Sequence, residues 1–156
     1  MDNRAKEMFF KYKGSHCQME NDGVLEKYKA YGISSEQEKQ WTLEIEQQEI
    51  IALSNSSDKK SAFVLLCMTV RKTKDPKTFE MLYQFLLSEK AVTPNPVGRL
   101  YMISSFVDLM RTFKDKMDLT PYKAPVLRLI SSIQGASDDP EVQRRAPLIS
   151  TRLKRL

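Results

Sequence analysis

The chain reads as an all-α protein, and three observations say so. Apolar residues recur at three- and four-residue spacing through most of the sequence. Helix-opening signals, a short acceptor side chain followed by proline or by a Gln/Glu three positions on, recur along the chain at unequal spacing. Only 5 glycines accompany 8 methionines among 156 residues, a balance that suits helices better than sheets.

Residues 1–33 are the least regular section. Arg4 to Tyr12 fits a short helix, Gly14-Ser15 and Asn21-Asp22-Gly23 punctuate the chain as turns, and Val24 to Tyr31 fits one or two helical turns ending at Gly32. Either Ser34 or Ser35 can open the next helix, with Gln37 or Glu38 completing a capping box; it should run through Trp41, Leu43, Ile45, Ile50 and Leu53 to the serine-rich link 54–57. Asp58 caps a helix to about Lys72, with Phe63, Leu66, Cys67 and Val70 as its buried face. Asp75-Pro76 opens a helix with the stripe Phe79, Leu82, Tyr83 and Leu86. A break at Thr93-Pro94-Asn95-Pro96 precedes a long helix from Val97 to about Lys116. Thr120-Pro121 and Asp139-Pro140 open the last two. Short connectors between five consecutive helices favour antiparallel hairpins, stacked or bundled. The expectation is one domain, with an N-terminal section 1–57 and a five-helix array 58–156.

Charge follows the same division. Residues 1–57 carry 7 basic and 10 acidic side chains, residues 58–156 carry 18 and 10, so a total of +5 conceals an acidic head and a basic body. Such a body suits an acidic partner.

In the final helix, Asp139-Pro140-Glu141-Val142-Gln143-Arg144-Arg145-Ala146 resembles the Asp-Pro-Glu-Val-Arg opening of helices in HEAT-type repeats. Gln143 stands where arginine is usual and Ala146 is shifted by one position. The resemblance implies a short curved stack of helix pairs, a scaffold used to bind proteins or nucleic acid, and it implies no catalytic residues. Pro147 falls inside the helix and should kink it.

At 100° per residue Val142, Ala146, Ile149 and Leu153 share the inner face of that helix. Arg145 and Arg152 lie along one flank, and Arg144 and Arg155 form a neighbouring exposed row. Guanidinium forks suit carboxylate or phosphate. These four arginines are the expected contacts, supported by Lys123 and Arg128 from the preceding helix. The expected role is a non-enzymatic interaction or adaptor module for an acidic protein surface; DNA or RNA binding by the same row is the alternative. Aromatic residues interleaved with the basic ones are not evident, which counts against stacked bases. Leu148, on the outer side, leaves room for oligomerisation.

Catalytic chemistry has little to work with. The single histidine, His16, excludes a two-histidine zinc site within one chain and leaves His16 with Cys17 as the one nucleophilic or metal-binding alternative. No glycine-rich phosphate loop is present, and no cofactor or metal is expected. The pairs Glu44/Glu46 and Asp115/Asp118 read as solvated faces. No apolar run approaches the ~20 residues that span a bilayer. Two cysteines without paired spacing, and a first segment rich in charge, point to the cytoplasm.

Overall fold

The computed structural model describes residues 3–91 and 95–156. Among these residues every regular element is helical, in the order α1 (Asn3–Lys11), α2 (His16–Asn21), α3 (Leu25–Lys29), α4 (Ser35–Asn55), α5 (Lys59–Thr73), α6 (Pro76–Leu87), a 3-10 turn (Glu89–Ala91), α7 (Pro96–Phe113), α8 (Thr120–Gly135) and α9 (Pro140–Lys154). The all-α expectation holds, with five helices after the serine link. Thr93 and Pro94 of the expected break lie outside the described residues. The chain divides into two compact units, Met1–Ile51 and Ala52–Leu156.

The N-terminal unit is built of short helices with a core of its own. Ala5, Phe9 and Tyr12 from the first segment meet Met19, Tyr28, Trp41 and Ile45. The Phe9 ring lies 5.4 Å from Trp41 and 6.2 Å from Tyr28. Residues 16–21, between the two expected turns, form α2: Ser15 caps it by accepting from the Gln18 N–H at 3.3 Å. Ser34 opens α4 by accepting from the Gln37 N–H at 3.2 Å. Glu46 departs from the solvated face expected for it. It is buried, as is Glu49, and neither Glu46 oxygen finds a hydrogen-bond donor among the described residues. Trp41, Ile45, Glu49 and Leu53 stand four apart, so the stripe that the aromatic and aliphatic residues begin carries acidic positions inward with it.

In the second unit the same device opens one helix after another. Asp58, Asp75, Asn95 and Asp139 each accept from a backbone N–H in the first turn of α5, α6, α7 and α9, at 2.8–3.0 Å. At α8 the acceptor is not Thr120, which is already helical, but Asp118, 2.9 Å from the Thr120 N–H. The helix α7 is buried almost all round, through Leu100, Met102, Ile103, Phe106, Val107, Leu109, Met110 and Phe113. Such a helix must be surrounded. It lies between α5 and α9, while α6 and α8 pack on each other and on α7. Phe79 of α6 is the hub of this core, 4.7 Å from the Phe113 ring and 5.1–5.2 Å from Phe106 and Tyr122. The Tyr122 hydroxyl donates to Glu80 at 2.8 Å, tying α8 to α6. Burial pushes the Cys67 thiol up, so it behaves as the small apolar core residue expected of it.

Among the described residues no helix is long and apolar enough to cross a membrane.

Candidate partner-binding groove

The inner face of α9 is as the 3-4 spacing requires: Val142, Ala146, Ile149 and Leu153 are buried. That choice fixes where every other side chain of the helix points. Arg144, Arg145, Arg152 and Arg155 all line one groove of about 470 Å³ between α9 and α7. Leu100 and Ile149 floor it, and Tyr101, Ser104, Leu148 and Thr151 complete its walls.

The four arginines are not equivalent. Arg152 donates to the Ser104 hydroxyl at 2.9 Å and pairs with Asp108, which makes it a clasp between α9 and α7. Arg144 donates twice to Glu141, at 2.8 and 2.9 Å, and Arg145 also pairs with Glu141. The two guanidiniums, Arg144 first, hold the Glu141 carboxyl down at about 2. Arg155 is exposed and has no hydrogen-bond or ion-pair partner among the described residues. Four cations therefore line the groove, three of them paired with the neighbouring carboxylates of Glu141 and Asp108.

Tyr101 is the residue that sequence reasoning missed. It is 42% exposed, and its ring lies 4.5 Å from the Arg145 guanidinium and 5.9 Å from the Lys60 ammonium of α5. The signal was present: Tyr101, Ser104 and Asp108 stand at i, i+3 and i+7 on the face of α7 that its apolar positions leave free. Basic–aromatic interleaving thus exists, across three helices rather than along one. Beyond Tyr101 a second groove, of about 450 Å³, is lined by Lys60, Ser61, Val64 and Leu65 of α5. Leu148 is 56% exposed, as its outer position requires.

Lys123 and Arg128 do not line either groove. Arg128 lies near enough to Tyr83 to stabilise its phenolate, although burial raises the Tyr83 hydroxyl on balance. Lys123 lowers the Asp118 carboxyl, after the larger effect of the hydrogen bonds from Thr120.

In the N-terminal unit, His16 Nε2 sits 2.9 Å from Glu38 Oε1, an oxygen that also accepts from the Tyr28 hydroxyl at 2.7 Å. Cys17 is exposed, and no hydrogen bond joins its thiol to the imidazole. Among the described residues no three His, Cys, Asp or Glu side chains gather as metal ligands.

Comparison with protein-family models, with curated proteins and with solved structures finds no match to this chain.

Proposed function

We propose that this chain is a non-catalytic interaction module whose groove between α7 and α9 receives an acidic surface of another protein. One observation carries the reading: four arginines separated by up to eleven positions in sequence line a single open groove together with an exposed tyrosine and an exposed leucine. Guanidinium forks beside apolar surface suit carboxylates displayed on a folded or folding polypeptide. The order of packing, with α7 between α5 and α9 and with α6 and α8 together, supports a stack of helix pairs of the kind the HEAT-like opening of α9 implies. Two unpaired thiols support a reducing, cytoplasmic setting.

Nucleic acid is the competing ligand, and the pairing within the groove disfavours it. Arg144, Arg145 and Arg152 already face Glu141 and Asp108, so few cations are left for the closely spaced phosphates of a duplex, whereas a protein surface also gains from the apolar side chains Tyr101 and Leu148.

The test is fluorescence anisotropy with two probes, a Glu-rich peptide and a DNA duplex, at low and moderate salt. A double variant, Arg144→Glu with Arg155→Glu, should lose about tenfold or more in affinity for the peptide, because both cations are exposed and reversal adds repulsion. A control with the same change in net charge, Lys123→Glu with Arg128→Glu, should lose less than about threefold. Equal losses from the two variants would show that net charge alone drives binding and would remove the groove from the reading. Tighter binding of the duplex than of the peptide would transfer it to nucleic acid.

A further inference from the structure

The arginine groove and the groove against α5 share a wall, the ring of Tyr101. Seen together they form one face of α5, α7 and α9. Along its centre lie exposed apolar side chains: Leu65 of α5 at 43%, Tyr101 of α7 at 42% and Leu148 of α9 at 56%. Met68, 54% exposed, stands three positions after Leu65 and so on the same side of α5. Cations accompany this strip, Lys60 of α5 and Arg145 of α9 over the Tyr101 ring and Arg144 with Arg155 beside it on α9. A surface of exposed apolar side chains with cations over and beside them is the complement of a segment with an apolar stripe and acidic flanks.

We propose that the occupant is an amphipathic, acidic α-helix of a partner protein, laid across α7 over Tyr101 so that its apolar stripe covers Leu65, Tyr101 and Leu148. This rests on the reading of the arginine groove as a site for acidic protein, and extends it to α5.

Three arguments select a helix. Among the described residues the protein offers no strand edge, so a bound segment gains no backbone pairing and must satisfy its own N–H and C=O groups, as a helix does. The apolar positions are spread over three neighbouring helices, and at about 8–10 Å between adjacent axes the face is ~16–20 Å wide. That width matches three turns of α-helix, about 12 residues at 1.5 Å each. Charge supplies the third: Lys60, Arg144 and Arg155 are exposed beside the apolar side chains, where carboxylates on the flanks of an acidic helix reach them. A second copy of the basic unit would set like charges against each other on this face.

The experiment is an ¹⁵N NMR titration of the full chain with two synthetic peptides of about 12 residues. One carries leucines at i, i+3, i+4 and i+7 with glutamates on the flanks; the other has the same glutamates with serine in place of each leucine. The leucine peptide should shift amides of Val64, Leu65, Tyr101 and Leu148, and the serine peptide only those near the arginines. A variant with Leu65→Ser and Met68→Ser, both exposed and therefore tolerated by the fold, should lose about tenfold in affinity for the leucine peptide and nothing for the serine peptide. If the leucine peptide leaves α5 amides unmoved, or if the double serine variant weakens both peptides alike, the α5 extension fails. The arginine reading survives that failure when both peptides still shift the α9 amides, and falls with it when neither does. A DNA duplex that shifts the same amides more strongly than either peptide overturns both.

Discussion

Glu141 already pairs with two of the guanidiniums that the proposed function offers to an acidic partner. It engages Arg144 and Arg145 from within the same helix, and so acts as an internal occupant of two of the four arginine forks. Its carboxyl is held at about 2 against an ordinary 4.5, and the sign of the consequence follows directly. A depressed folded-state value means that the pairing is complete above about 4.5 and is lost only as pH falls towards 2. At neutral pH Glu141 therefore competes at full strength. Glu141→Ala should tighten binding of a Glu-rich peptide, by about threefold to tenfold, because two guanidiniums are released to it. Anisotropy titration of the variant beside the parent checks this; an unchanged or weaker affinity would show that Arg144 and Arg145 need Glu141 to hold their positions. Gln143, which replaces the arginine usual in HEAT-type openings, has a different task. Its side-chain amide donates to the Gln134 and Ser137 carbonyls at 2.8 and 2.6 Å and so closes the turn between α8 and α9.

At the scale of the element, the helices begin well and one of them ends under strain. Lys74 terminates α5 at φ 54°, a left-handed conformation that costs a residue with a Cβ about 1–2 kcal/mol and a glycine almost nothing. The Lys74 N–H still reaches the Val70 carbonyl at 2.7 Å, so the cap itself is sound. Lys74→Gly should stabilise the protein by about 0.5–1 kcal/mol, seen as a rise of roughly 2–4 °C in the thermal midpoint. A lower midpoint would mean that the lysine side chain holds something the backbone argument omits. The five long helices after the serine link were legible because each combines an opening signal with several turns of apolar periodicity. The helix α2 was not: six residues give one turn and a half, too few for a period to appear. Glu46 was misplaced for a related reason, since an acidic side chain is ordinarily evidence of a wet face.

On the scale of the whole molecule, the row of four arginines was legible because it lies along one helix, whereas the groove was not. Tyr101 and Lys60 stand 44 and 85 positions before Arg145, and only packing brings both cations over the one ring. The same packing isolates the two thiols from each other in kind. Cys17 is exposed and Cys67 is buried with its thiolate disfavoured. Maleimide should modify one thiol at once and the second only as fast as the core around Cys67 opens, so that mild denaturant accelerates the slow phase and leaves the fast one alone. Mass spectrometry of timed samples reads both; two equally fast additions would contradict the burial of Cys67.

Trp41 completes a pair of reporters. It is the one tryptophan of the chain and lies buried against Phe9, within the N-terminal unit. Ultraviolet emission excited at the indole band is therefore a signal that belongs to residues 1–51 alone, while the slow thiol belongs to residues 52–156. Loss of packing in each unit is therefore read separately on one unlabelled protein, by the colour of that emission for the first and by the rate of the slow thiol for the second.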